Sequence, residues 1–343
     1  MRSQLKASSP FLLHPERAHL LIEQFKSHKI LVVGDLMLDE FLWGRATRIA
    51  PEAPVPVVEI ERETVHLGGA GNVAANLAEL SASATVIGVV GRDSACIKLQ
   101  EEFAKAGIET SGIVEDLSRP TTVKTRVIAH SQHVVRTDRE KKTAVNDKIE
   151  WQLAENFTQL LKSVEAIIIS DYQKGVITPT LLKKILPRAV EQNIPICIDP
   201  KLKNFECYQP ATIITPNQHE AETAVRFNID SPETLQAAGS KLRSILGGAT
   251  VLITRGENGM SLFDDQYQTT HIPAVAREVY DVTGAGDTVI ATVALALASG
   301  ASKLEAAILA NHAAGIVVGK VGTATAKPEE ILSSVEVAYR SAK

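Results

Sequence analysis

The chain has 343 residues, 45% of them hydrophobic and 22% charged, with a formal net charge of −4. That balance fits a globular protein and excludes a disordered one; it carries no basic footprint for nucleic acid. No apolar run is long enough for a membrane span, and Cys96, Cys197 and Cys207 lack metal-ligand spacing and suit a reducing compartment. The apolar stretch 11–13 is too short for a signal peptide, so a cytoplasmic protein is expected.

In chain order, residues 1–14 read as a loose leader and 15–25 as a short amphipathic helix with Pro15 in its first turn. Residues 29–39 (KILVVGDLMLD) are a short apolar run, a buried strand of the parallel kind. At its end Asp35, Met37 and Asp39 point one way and Leu36 and Leu38 the other. Two carboxylates on one face of such a strand end favour a polar ligand over a solvated edge. Residues 40–66 differ: Pro51, Pro54 and Pro56 punctuate them, and 57–61 and 64–67 are short strand candidates. A later hairpin, 121–129 and 133–138 around Ser131, is similar in kind. Together these pieces are expected to form a small separate sheet, a lid; plain decoration of the fold is the alternative.

Between them Gly68, Gly69, Ala70, Gly71 and Asn72 lead into a helix over 73–80. A strand (84–90), a helix (94–106) and a strand near 112–115 follow. From residue 147 the alternation is regular: helix 147–161, strand 166–170, helix 179–192, strand 195–199, strand 212–215, helices 218–227 and 232–246, strand 250–254. A hairpin-like stretch, 260–273, precedes the last motif, and helices 303–320 and 328–340 close the chain. Strands alternating with helices predict a parallel sheet covered on both faces. One α/β domain with an inserted lid is the simplest account.

The last motif is DVTGAGDTVIATVAL, residues 281–295. Gly284, Ala285 and Gly286 are small, Asp287 follows, and an apolar run with no breaker until Gly300 reads as a buried helix. The first amides of a helix lack internal partners and carry partial positive charge, so a Gly-rich turn there cradles an anion. An acid in such a cradle would repel the anion unless it acts on a neighbouring group. Asp287 is read as a base that takes a proton from a hydroxyl while the cradle holds a phosphoryl group; the alternative is that it merely caps a packed helix.

Other strand ends are polar as well. Ser170 to Gly175 (SDYQKG), Asp199-Pro200-Lys201, Thr215 to Glu220 and Thr254 to Gly259 would line one cleft with the Gly284 cradle. A nucleotide there needs a cation, a metal held by oxygen donors and a flat slot; Lys201, Glu220 with Asn217, and the 256–259 loop can supply these in turn. Residues 69–74 fit the GxGxxG/A dinucleotide fingerprint, but the first strand lies far upstream, so the glycines are read as letting a ligand approach the backbone within reach of the Asn72 amide. Gly319-Lys320 lacks the Ser/Thr of a P-loop.

GGAGNVAANLAELSASATVIGVVG (68–91) and DVTGAGDTVIATVA (281–294), with the Asn217…Glu220 spacing, resemble the signatures of the ribokinase-like (PfkB) carbohydrate kinase family. Within it, GDLMLDEFLWG (34–44), RIAPEAPVPVVE (48–59), SDYQKG and GIVVGKVGTAT (315–325) are similar to the branch that acts on heptose 7-phosphate. The resemblance implies a ribokinase-like α/β/α sandwich with a mostly parallel sheet and a β lid: one domain over 1–343 with lid segments about 40–67 and 119–139. It implies that Asp287 deprotonates the acceptor hydroxyl and that Gly284, Ala285 and Gly286 hold the transferring phosphoryl group. Asp39, Gly69 and Asn72 would bind sugar hydroxyls, with Gly68, Asp35 and Lys174 nearby; Arg45, Arg48, Arg136 and Lys174 are candidates for a sugar phosphate. Asn217 and Glu220 would organise magnesium, Glu220 through water, and Lys201, Thr254, Gly256, Gly259 and Asn311 would serve ATP. Use of a monovalent cation stays open. His312 stands in a usually all-small helix and is expected to alter the nucleotide slot. The partners implied are a sugar phosphate, ATP and a second copy paired through the lid; neither nucleic acid nor membrane is expected. The nucleotidyltransferase half known beside this branch does not follow the last helix, which reads as a stand-alone kinase or a fragment. Another sugar or nucleoside kinase is the near alternative, and a non-catalytic sugar sensor the distant one.

Overall fold

The computed structural model describes residues 12–130, 132–201, 205–265, 269–275, 279–320, 322 and 324–342. The chain begins with α1 (Pro15–Gln24), β1 (Lys29–Gly34), β2 (Leu36–Ile49), β3 (Pro56–Gly69), α2 (Ala70–Glu79), β4 (Ser83–Val90), α3 (Ser94–Lys105) and β5 (Glu109–Glu115). Next come β6 (Thr122–Ala129), β7 (Gln132–Arg139), α4 (Asp147–Leu160), β8 (Ala166–Ser170), α5 (Pro179–Glu191), β9 (Ile196–Asp199), β10 (Ile213–Ile214) and α6 (Gln218–Val225). It ends with α7 (Pro232–Ile245), β11 (Thr250–Thr254), β12 (Met260–Phe263), β13 (Thr270–Ile272), α8 (Ala285–Ala298), α9 (Lys303–Val317) and α10 (Pro328–Ser341).

Nine strands form one sheet in the order β13-β12-β11-β10-β9-β8-β1-β4-β5. All neighbours from β11 to β5 are parallel; β12 and β13 close one edge antiparallel. Helices cover both faces, which is why the strands read as unbroken apolar runs. Alternate residues of β1 enter two cores. Ile30 and Val32 pack with Leu21, Leu77, Ile290 and Leu309, while Leu31 and Val33 pack with Phe157, Leu182 and Leu242. α8 is buried on every side from Asp287 to Ala296, as a helix apolar all round must be.

A second sheet has the order β3-β2-β6-β7, with β2 and β6 parallel and the outer pairs antiparallel. Its strands β2 and β3 are longer than the short candidates expected from the sequence, because two register shifts, at Trp43/Gly44 and Ala46/Arg48, absorb the misfit. Pro51 and Pro54 lie outside the strands and Pro56 is a first strand residue, where no ladder bond is lost. Ser131 and residues 1–11 of the expected leader lie outside the described residues, as do 266–268 of the expected hairpin.

The run 29–39 is two strands, not one. A Cβ at Gly34 would run into the Ser170 carbonyl oxygen, so glycine lets β1 close tightly on β8. The chain then leaves the large sheet at Asp35 and β2 starts the small one. The two sheets therefore meet where the carboxylates stand. Gly69 ends β3 of the small sheet and Gly71 lies in α2, so neither follows the first strand of a βαβ unit and the dinucleotide fingerprint has no structural basis here.

Candidate active site

α8 starts at Ala285, and its cap is Gly284, in the left-handed region at φ 81° with no side-chain cap bond. Asp287 is therefore not the cap of its own helix. Its side chain is 3% exposed and is held from both sides: Asn72 Nδ2 donates to Oδ2 at 2.7 Å and the Tyr172 hydroxyl donates to Oδ1 at 2.7 Å. Burial pushes the Asp287 carboxyl up to about 6; the two donors and Lys124 work against burial, and the charge of Asp39 works with it. A carboxylate near that value is an anion at neutral pH yet still able to take a proton.

The cradle beside it is narrower than three free amides. The Ala285 N–H donates to the Val282 carbonyl at 3.2 Å and is spent, whereas the amides of Gly286 and Asp287 have no acceptor among the described residues. A Cβ at Gly286 would meet nothing within 4 Å. That space opens into a cavity of about 540 Å³ whose lining includes Gly286, Thr254, Gly256, Gly259 and Asn311, with Val289 on its apolar wall. Asn311 is fixed by a bond from Nδ2 to the Pro273 carbonyl at 2.7 Å. His312 is not among the residues that line this slot: it is buried against α10, with Nδ1 2.7 Å from the Ser334 hydroxyl, and burial pushes it down to about 4.

α2 is stitched to α8 a second time, where the Thr288 hydroxyl donates to Asn76 Oδ1 at 2.7 Å. Gly69, the residue before α2, has φ 56°, and a Cβ there would sit 2.5 Å from the Asp35 carbonyl oxygen. Asp35 itself faces a loop. Its carboxylate accepts the backbone N–H groups of Tyr172 (2.9 Å), Lys174 (3.0 Å) and Val176 (3.1 Å). Burial pushes this carboxyl up, against those three bonds. The expected sugar ligand is thus occupied in shaping the turn that presents Tyr172.

Asp39 is buried and pairs with Arg126 on β6 at 2.5 Å; the Arg126 guanidinium lies over the Phe41 ring at 5.2 Å. Gly68 is glycine because a Cβ would press on Asp39 Oδ2 at 2.5 Å, so it seats Asp39. Lys124, two residues from Arg126, puts its ammonium 5.4 Å from the Tyr172 ring centre, and burial pushes it down. Lys174 is paired with Glu140 at 2.6 Å. Arg136 is exposed on β7, paired with Asp138 at 2.8 Å, and Arg45 is exposed and paired with Glu61 at 2.8 Å. The strand register puts Lys124 beside Asp39 and Arg126 beside Phe41, leaving Arg136 one strand farther out.

On the other flank Lys201 Nζ meets Glu220 at 2.5 Å, and Asn217 and Glu220 cap α6 reciprocally, each side chain accepting the other's backbone N–H at 2.9 Å. The lone cation expected near the nucleotide phosphates is therefore already joined to the expected metal ligand. Burial holds the Asp199 carboxyl well above its usual range, and the charges of Asp287 and Glu220 add to this. Tyr172, Lys124, Arg126 and Asp199 were not singled out as site residues from the sequence. Tyr172 and Asp199 lay inside polar clusters that were; the one signal for the cations was their two-residue spacing on a strand.

The model of the pfkB family carbohydrate kinases matches residues 27–330. The chain is 47% identical over 320 residues to the bifunctional protein HldE of Trichlorobacter lovleyi, covering 93% of this chain and 65% of that protein. It is 48% identical over 305 residues to HldE of Geobacter sulfurreducens, covering 89% and 62%. It therefore spans just under two thirds of the length of these relatives. Its fold is similar to that of Arabidopsis thaliana ribokinase complexed with ribose and ATP (TM-score 0.71, 18% identity, 90% of this chain and 99% of that one). It is also similar to that of Escherichia coli phosphofructokinase-2 in complex with potassium (TM-score 0.75, 19% identity, 90% and 99%).

Proposed function

Since the chain belongs to the pfkB family of carbohydrate kinases, we propose that it transfers the terminal phosphoryl group of ATP to the anomeric hydroxyl of D-glycero-D-manno-heptose 7-phosphate, giving the 1,7-bisphosphate. The observation that carries the reading is the buried Asp287 carboxylate beside the open amides of Gly286 and Asp287. Asp287 takes the hydroxyl proton as the sugar oxygen bonds to the terminal phosphorus and the bond from that phosphorus to ADP breaks. The amides face the charge on the transferring group. ATP lies along the cavity from Thr254 and Asn311 to Gly286.

Magnesium fits only as a water-held ion. Among the described residues no three His, Cys, Asp or Glu side chains converge as a cage, and magnesium keeps several of its waters when it binds phosphate. Glu220 would hold it through water, with Asn217 orienting Glu220. Bound there, it would neutralise phosphate charge. The potassium complex of the Escherichia coli relative makes activity in potassium against sodium worth measuring.

The heptose preference is supported by the 44–48% identity to HldE proteins and by the cations around Asp39. Lys124 and Arg126 from β6 and Lys174 from the loop after β8 would meet the sugar's phosphate, Lys174 by leaving Glu140; Arg136 lies one strand farther out. The small sheet would close over the sugar as a lid. Its strands expose Ile49, Ile60, Val134 and Val135, a surface that suits pairing with a second copy. Among the described residues no helix is long and apolar enough to cross a membrane, and the reading places the enzyme in the cytoplasm, with its ATP.

The test is ADP release with heptose 7-phosphate, ribose and fructose 6-phosphate as acceptors. A kcat/KM for heptose 7-phosphate no better than for the other two overturns the heptose reading and leaves a sugar kinase of other specificity.

A further inference from the structure

We propose that Tyr172 is a positioning residue for the base: its hydroxyl holds Asp287 in one orientation and keeps it ionised. The proposal rests on the kinase reading for its role in turnover, but not for the contact itself. The phenol donates to Asp287 Oδ1 at 2.7 Å, opposite the Asn72 bond to Oδ2. Burial and the neighbouring Asp287 charge hold the phenol well above its ordinary value, so it stays a donor and does not compete as a base.

The loop that carries Tyr172 is held from several directions. Asp35 takes three of its N–H groups. Arg119, paired with Asp116 at 2.9 Å, donates to the Lys174 carbonyl and the Thr143 carbonyl at 3.0 Å each. Gln173 sits at φ 55°, an unfavourable place for a residue with a Cβ, and Asp171 accepts its N–H at 2.7 Å. Backbone held off its preferred conformation persists only where its surroundings fix it. Here what is fixed is the position of one phenol against one carboxylate.

Asp287 is also faced by Asp39 from β2, Lys124 from β6, Asn72 from α2 and Asp199 from β9. Asp39 favours its protonated form, Lys124 and Asn72 favour the ion, and the Asp287 charge in turn raises Asp199. Removing the Tyr172 donor tilts this set toward protonation. A hydrogen bond to a charged group is strong enough to move a titration by roughly one to two pH units.

The experiment compares wild type with Tyr172→Phe in two ways. The first is the pH profile of kcat/KM: the acid limb should move up by roughly one to two units, so the loss at neutral pH largely recovers at pH 9. A loss equal at every pH means a merely structural role and overturns the proposal. The second is the Asp287 titration by NMR of carboxyl-labelled aspartate, assigned with Asp287→Asn, which needs no substrate. An unmoved titration overturns the proposal while leaving the kinase reading intact; absence of turnover with every sugar overturns the kinase reading while the titration still decides this one. Should Tyr172→Phe not fold, difluorotyrosine placed at position 172 keeps the shape and strengthens the donor. The titration should then move down, and no movement refutes the proposal.

Discussion

Asn72 and Asp287 stand 215 positions apart and meet at 2.7 Å, Nδ2 to Oδ2. One closes the Gly-rich entry to α2, the other opens α8 after a second Gly-rich turn. The approach is close enough that a Cβ at Gly284 would sit 2.7 Å from Asn72 Nδ2. The two glycine motifs thus serve one contact, and the contact aims the carboxylate.

Asp287→Asn removes the proposed base and leaves the slot. Turnover should fall ~10²–10⁴-fold, with ATP affinity by calorimetry within about twofold, because none of Thr254, Gly256 or Asn311 touches the carboxylate in the set of bonds that holds it. Unchanged turnover would falsify the assignment of Asp287.

Activity should also fall on the acid side near pH 6, where Asp287 takes its proton. The sign for stability follows from the same shift. The folded carboxyl sits above its unfolded value of 3.8, so its contribution is present below that pH and is lost as pH rises toward about 6. Urea denaturation at pH 4 and pH 7 should show wild type losing about 2 kcal/mol more than Asp287→Asn over that span.

Gly286→Ala and Gly284→Ala separate cradle from packing. A Cβ at 286 enters open space beside the free amides, so the melting temperature should hold while phosphoryl transfer drops. At 284 the new Cβ strains a φ of 81° and presses on Asn72, so both should fall, by about 1–3 kcal/mol in stability. Loss of stability at 286 alone would mean that the cleft is filled.

Asp35→Asn trades an acceptor oxygen for an NH₂ group facing backbone donors. It should cost about 2 kcal/mol in urea denaturation and lower kcat, because the turn carrying Tyr172 is no longer held by three bonds.

Lys124→Met should raise KM about tenfold for a phosphorylated sugar and leave KM for ATP alone, whereas Arg136→Met, exposed and paired with Asp138, should change both less than about twofold. Steady-state kinetics on both acceptor and ATP read the difference. Equal effects of the two variants would remove Lys124 from the sugar side.

Much of the framework was legible in the chain. The apolar runs of β1, β8 and β11 and the regular alternation after residue 147 foretold a covered parallel sheet, and the pieces at 57–67, 121–129 and 133–138, outside that alternation, foretold a small second sheet. The break at Asp35 was not legible, since Leu36 and Leu38 continue the apolar alternation without interruption while the chain passes from β8's neighbour in one sheet to β3's neighbour in the other. The partner of His312 was not legible for a similar reason: composition says that a helix position is unusual, but not that Ser334 faces it.

Local chemistry along the chain determined by itself that small residues precede a buried helix, that an acid stands in that helix's first turn, and that polar groups gather at strand ends. Those properties depend on neighbours a few residues away. Only the tertiary structure decided that Tyr172 and Asn72 share Asp287, that Arg126 reaches Asp39 across 87 positions, and that Glu220 answers Lys201. Side-chain partners across the fold depend on strand order and register, and a strand's alternation specifies which face a residue takes but not which strand lies beside it.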